Sequence, residues 1–202
     1  MFAVLGTFAA MAPAPFHVQM QLSGDGVPDG SAFTLEVRPD WAPLGAARFR
    51  ELVEAKFYDD TRFFRVLDGM YDIWIAQVGI SGDPQLQAKW SSSLIRDDPV
   101  KASNKRGTLA FAMSGPNTRT TQLFLNFGDS GKVLDRDFAP FAEVVSGMDA
   151  VDAIYKIGEG PPSGEGPAQQ KISALGNSYL DNEFPKLTRV VSARIVDHKD
   201  DL

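Results

Sequence analysis

Apolar and polar residues alternate over His17-Val18-Gln19-Met20-Gln21-Leu22 and again over Phe33-Thr34-Leu35-Glu36-Val37, the period of a strand with one face turned to a core. Ser23-Gly24-Asp25-Gly26 supplies turn residues between them, and Val27 to Gly30 lengthens the connection, which predicts a hairpin. Pro39 stops the second strand, because proline has no N–H for a ladder. The period then changes. From Pro43 to Lys56, Leu44, Ala47, Phe49, Leu52 and Val53 recur at helical spacing, with Arg48, Arg50, Glu51 and Glu54 mostly on the other side. The proline suits a first turn, where an N–H would have no intrahelical partner.

Strand-like patterns resume at Arg62–Leu67, around Ile73–Val78, at Gly107–Met113, Gln122–Phe127, Asp137–Val145 and Thr188–Val196. The polar stretch from Gln85 to Arg106 reads as a long surface loop. A second helix is expected from Met148 to about Ile157, with Gly158 just past its end and a loop rich in glycine and proline to Gly166. Many short strands with two well-separated helices predict a mainly β chain, folded as an antiparallel barrel or sandwich. No repeat or linker divides it, so the expected organisation is an apolar leader or N-terminal arm over residues 1–15 and one domain over 16–202.

Composition narrows the chemistry. With 202 residues, 44% of them hydrophobic, the chain can bury a core without a metal or disulfide. It has no cysteine, which removes thiol nucleophiles and cysteine-ligated metals. A net charge of −6 argues against non-specific binding to nucleic acid or anionic membranes. The first fifteen residues are too short and proline-rich for a membrane span. Ala10-Met11-Ala12 fits a secretory cleavage pattern, but no basic residue precedes the apolar run, so a cytoplasmic or secreted location stays open. No zipper-like stripe calls for an oligomer, and a monomer is expected.

His17 and His198, the only histidines, lie near opposite ends with no second ligand at metal spacing, so neither a metal site nor a catalytic triad is expected. Gly158-Glu159-Gly160-Pro161-Pro162 has a superficial likeness to a dinucleotide loop, but it follows a helix and contains two prolines, and is read as a plain loop. Asp135 and Asp137 flank Arg136 and are read as local charge pairing rather than an acid–base pair. Arg65 is different. It sits in Phe63-Phe64-Arg65-Val66-Leu67, where the pattern demands a buried strand. A guanidinium is always charged, so it needs an acidic partner or a place at the wall of a cleft. With Gln77, the turn Ser114-Gly115-Pro116-Asn117-Thr118 and Gln122-Leu123-Phe124, it suggests a fixed cation, neutral amides and an apolar floor. Such a site suits an uncharged peptide group.

The order and context of these stretches resemble the cyclophilin family of peptidyl-prolyl isomerases. Phe63-Phe64-Arg65-Val66, Gln77 with Gly79 and Gly82-Asp83, Gly107-Thr108-Leu109-Ala110-Phe111-Ala112, Ser114 to Thr118, Gln122-Leu123-Phe124 and Leu134-Asp135 carry the likeness, as does the helix with Phe49-Arg50-Glu51-Leu52. It covers roughly residues 16 to 196. The resemblance implies a closed eight-stranded antiparallel β-barrel capped by two α-helices, acting without cofactor or metal on Xaa-Pro bonds of peptides and folding proteins. It implies catalytic roles for Arg65, Gln77 and Phe124. It also implies substrate contacts from Ile75, Trp74, Ala112, Met113, Ser114, Gln122, Val133, Leu134 and Phe138. Three departures stand out. Met113 replaces the family's asparagine, Val133 its tryptophan and Phe138 its histidine, and the last two imply weak cyclosporin binding. The chain between Arg65 and Gln77 is longer than the family spacing, so Gly69-Met70-Tyr71-Asp72-Ile73-Trp74 is expected to bulge beside the pocket. If that insertion spoils the pocket, the alternative is a non-catalytic module binding proline peptides. Ser163–Pro185 is also longer than in compact members.

Overall fold

A computed structural model describes residues 13–197; most of the N-terminal leader and His198 lie outside the described residues. Nine strands form one antiparallel sheet: β1 (Phe16–Ser23), β2 (Ala32–Val37), β3 (Thr61–Arg62), β4 (Arg65–Asp68), β5 (Trp74–Val78), β6 (Thr108–Phe111), β7 (Leu123–Asn126), β8 (Pro140–Ser146) and β9 (Arg189–Val196). Their order is β3-β9-β1-β2-β8-β6-β7-β5-β4. The two ends of that list are halves of one extended segment. Phe63 N–H donates to Thr188 O at 2.9 Å, on the β9 side, and Phe64 N–H to Gln77 O at 3.1 Å, on the β5 side. The sheet therefore curls back on itself. Counting β3 and β4 as one strand turns the nine into the eight expected of a barrel.

The alternating positions line the interior. Val18, Met20 and Leu22 of β1, Leu109 and Phe111 of β6, and Leu123 and Leu125 of β7 join Phe49 and Leu52 in one core. In β9 the register slips between Gln21 and Leu22, so Val191 is an extra residue. That bulge lets Val190 and Ala193, an odd number of positions apart, both point inward.

Helix α1 (Pro43–Glu54) caps the barrel as expected, burying Ala46, Phe49, Leu52 and Val53. The second expected helix is shorter than its pattern: α4 runs only from Met148 to Asp152. The expected loop after Gln85 begins instead as a helix, α2 (Pro84–Ser91). Asp83 caps it by accepting from Gln85 N–H at 2.8 Å, and Pro84 fills its first position. This start signal was present in the sequence, but the few apolar residues behind it hid the helical period. A short α3 (Gly131–Leu134) precedes β8, and the long stretch before β9 holds α5 (Gln169–Leu175) and α6 (Asn177–Glu183). These two pack Ile172, Tyr179 and Leu180 against Phe64, Ile80 and Leu187 outside the barrel.

The chain from Ser93 to Arg106 is held by a buried ion pair. Asp98 accepts from the N–H groups of Leu44 and Gly45, at 3.1 and 2.9 Å, and so caps the first turn of α1 from a distance. The same carboxylate meets the Arg119 guanidinium at 3.1 Å, with both side chains almost wholly buried. Asp98→Ala leaves a buried arginine without that partner, so it should lower the urea unfolding free energy by about 3–5 kcal/mol. Equilibrium denaturation at neutral pH measures it.

Candidate active site

The outer face of β4, β5, β7 and β6 carries one transverse row. Arg65 opposes Gln77, Gln77 opposes Phe124, and Phe124 opposes Ala110. Antiparallel register places directly opposed side chains about 4.5–5.5 Å apart at Cβ, so residues far apart in sequence become neighbours. Leu67, Ile75, Ala110, Phe124 and Leu134 form a cluster separate from the barrel core, with Ile73, Ala112 and Phe138 packed on it. Phe138 meets Phe124 edge-on, with ring centroids 5.4 Å apart.

A cleft of about 760 Å³ opens above this floor, a size fit for several residues of a peptide. Arg65, Ile75, Gln77, Ala112, Met113, Ser114, Gln122, Phe124, Leu134 and Phe138 all line it. Trp74 and Val133 do not. Trp74 packs against the barrel core and is closely approached by Gly69 and Gly128, where a Cβ would come within 3.2 and 2.7 Å of it. Val133 is 41% exposed on α3, outside the cleft.

A chain of hydrogen bonds fixes the polar side. Arg65 Nη1 donates to Gln77 Oε1 at 3.0 Å, and Gln77 Nε2 donates to Gln122 Oε1 at 2.8 Å. Each amide thereby has its orientation set by its neighbour. Arg65 realises both of the solutions its sequence context allows, since it lines the cleft and also has an acidic partner. Its Nε donates to both carboxylate oxygens of Glu159 at 2.8 Å, and its Nη2 lies 2.6 Å from Oε2. Burial pushes the Glu159 carboxyl up. Hydrogen bonds from Arg65 and the Gly160 N–H, with the arginine's charge, outweigh that and hold it below the usual carboxylate range.

Glu159 escaped the sequence reading because it lies 94 positions from Arg65, in a segment with no periodicity. Gln169, at the start of α5, also lines the cleft and was missed, as were Ser91, Leu94 and Thr120. They come from the ends of α2 and α5 and from loops, which only the folded chain brings together.

The insertion between Arg65 and Gln77 leaves their pairing intact. β4 and β5 keep unbroken register from Arg65↔Gln77 to Asp68↔Trp74. The extra residues turn at the hairpin tip, where Gly69 and Tyr71 adopt positive φ of 81° and 60° and Gly69 N–H donates to Ile73 O at 3.0 Å. The main-chain polar groups of Met113 have no intramolecular partner among the described residues, so they are free to pair with a ligand.

Comparison with known proteins agrees with this geometry. Residues 17–176 match the family model of cyclophilin type peptidyl-prolyl cis-trans isomerase/CLD. The chain belongs to the cyclophilin family. It is 35% identical over 136 residues to a probable peptidyl-prolyl cis-trans isomerase of Brucella abortus, covering 62% of this chain and 67% of that one. It is 34% identical over 130 residues to peptidyl-prolyl cis-trans isomerase B of Escherichia coli, covering 60% and 76%. A crystal structure of a cyclophilin type isomerase from Cryptosporidium parvum superposes with a TM-score of 0.64 at 15% identity, over 92% of this chain and 99% of that one. This cyclophilin is a peptidyl-prolyl cis-trans isomerase with proline-containing peptides as substrates. No helix among the described residues is long and apolar enough to cross a membrane.

Asp135 anchors the cleft wall carrying Leu134 and Phe138. It accepts from the Ser103 hydroxyl, the Asn104 N–H and Asn104 Nδ2, while Asn104 Nδ2 also donates to Phe138 O at 2.9 Å. Burial raises its pKa, but these hydrogen bonds and the nearby Lys105 charge bring it below the usual value. A lowered folded-state pKa stabilises the fold above the unfolded value of about 3.9, and the effect is lost as pH falls through the folded value. Asp135→Asn should therefore cost about 1–3 kcal/mol at pH 7, with the gap from wild type narrowing in acid. Urea unfolding across pH reads both.

Proposed function

We propose that this isomerase rotates Xaa-Pro bonds of peptides and folding proteins by stabilising the twisted amide with Arg65. The barrier to rotation, about 18–20 kcal/mol, comes from amide resonance. Twisting the bond destroys that resonance and leaves a lone pair on the prolyl nitrogen. A fixed guanidinium that donates to this nitrogen binds the twisted state more tightly than either planar isomer, which is the condition for acceleration. No covalent intermediate is required.

The observation that carries the reading is the row Arg65–Gln77–Phe124, which sets a held cation beside an apolar floor. The proline ring rests on Phe124, Ile75 and Leu134, with Phe138 at its edge. Gln77 holds Arg65, Gln122 holds Gln77, and the unpartnered Met113 main chain pairs with the residue before proline, between Ala112 and Ser114.

Exchange NMR on a short Xaa-Pro peptide tests the assignment. Wild type should accelerate isomerisation, and Arg65→Ala should lose on the order of a hundredfold in kcat/KM, as for loss of one preorganised transition-state donor. A wild-type rate in Arg65→Ala overturns the role given to the arginine, and wild type that binds the peptide without turnover makes the protein a binding module.

Cyclosporin should inhibit only weakly. The outward Val133 and Phe138 stand where the family has an indole and an imidazole, respectively, that matter for its binding, so inhibition at nanomolar concentrations overturns this part of the reading.

A further inference from the structure

Arg65 is gripped from two directions, and only one belongs to the cleft. Gln77 takes Nη1 within the cleft, while Glu159 takes the edge formed by Nε and Nη2. A guanidinium has five N–H bonds in a rigid plane. Once Glu159 and Gln77 have taken theirs, the remaining N–H bonds of Nη1 and Nη2 are the ones left to face a substrate. Glu159 does not line the cleft. It lines a smaller hollow of about 170 Å³ behind Arg65, with Phe64, Gly160, Pro167 and Gln169. It touches the arginine and stays outside the cleft lining.

The segment bearing Glu159 is shaped around it. Val66 N–H donates to Gly158 O at 3.0 Å and ties the loop to the strand that carries Arg65. Gly160 N–H donates to Glu159 Oε1 at 2.9 Å, and Gly166 N–H returns to Glu159 O at 2.9 Å. Nearby glycines admit no side chain: a Cβ on Gly164 would sit 2.2 Å from Glu159 O, and one on Gly166 2.9 Å from it. Beyond the loop, Ala168 N–H donates to the Tyr179 hydroxyl at 3.2 Å, and Asp181 of α6 pairs with Arg62 at 3.0 Å. The loop is thus tied to β4 at Gly158, and α6 beyond it is tied to β3 through Asp181 and Arg62.

We propose that Glu159 is the positioning residue for Arg65, and that the loop Gly158–Gly166 serves to deliver it. The proposal rests on the role given to Arg65 above. A bidentate carboxylate fixes both the plane and the rotation of a guanidinium, which a single amide contact cannot do. Without it, Arg65 keeps its charge and its place at the cleft wall but swings out of line with the prolyl nitrogen. Binding of the planar peptide persists and turnover falls.

The test compares wild type, Arg65→Ala, Glu159→Ala, Glu159→Gln and Gly164→Ala on one Xaa-Pro peptide, measuring kcat by exchange NMR, peptide Kd by titration and the unfolding midpoint in urea. Glu159→Ala should lower kcat on the order of tenfold, short of the loss expected from an ångström-scale misplacement of the reacting group, while Kd stays within about twofold. Glu159→Gln, which keeps the shape and one accepting oxygen, should recover part of the loss. Gly164→Ala, which alters no group in the cleft, should reproduce the Glu159→Ala effect. Glu159→Gln and Gly164→Ala decide the matter if Glu159→Ala does not fold. A lower unfolding midpoint with wild-type kcat makes Glu159 a structural ion pair and overturns the proposal, as does a kcat that rises when the carboxylate is removed. Wild-type kcat in Gly164→Ala overturns delivery by the loop. If Arg65→Ala is itself fully active, the reading of Arg65 has failed. If Arg65→Ala is inactive and both Glu159 variants are normal, only the positioning role has failed.

Discussion

The molecule hangs on how one extended segment closes the sheet. Thr61 to Asp68 must pair with β9 at its start and with β5 at its end, so its hydrogen bonding changes sides at Phe63–Phe64. That change breaks the simple alternation of side chains. Phe63 and Val66 both enter the barrel, Phe64 turns towards α5 and α6, and Leu67 joins the floor of the cleft. Arg65 emerges at the seam, where barrel, cleft and C-terminal helices meet. Its cost as a charge in an apolar strand is offset there by a carboxylate from one side and an amide from the other.

The site is a surface built from rigid parts. Its floor stands on strands whose opposite faces are locked into the barrel core, so Ile75, Gln77 and Phe124 have little freedom to shift. Its polar groups hold one another in a line from Glu159 through Arg65 and Gln77 to Gln122. Each member's orientation is set by its neighbour, so the donors that face the cleft are aimed before a peptide arrives.

Much of this was legible beforehand. Period-two alternation located β1, β2 and β9, because a curled sheet with a packed interior leaves that signature directly in the chain. The cleft floor was legible through resemblance, since Phe124, Leu134 and Phe138 lie in recognisable stretches. What was not legible depends on closure. Helix α2 has too little apolar surface to show its period, and α4 stops before its apolar pattern does. Trp74, read as a cleft residue, is held at the barrel core between two glycines. Glu159 joins Arg65 only because β9 and the helices before it wrap the last part of the chain around the β3–β4 seam. Arg65 alone implied an acidic partner or a place at the wall of a cleft; that both hold, and that the partner is Glu159, could not be read from the chain.

The hairpin between β4 and β5 separates two quantities that are easily confused. Arg65 and Gln77 face each other at the base of two paired strands, so chain added at the tip, from Gly69 to Ile73, lengthens the sequence between them without moving either. Sequence spacing across this turn therefore does not report how close the two side chains stand. The tip itself spans two environments at the lip of the cleft: Tyr71 stands 75% exposed, while Ile73 two residues on packs against the floor.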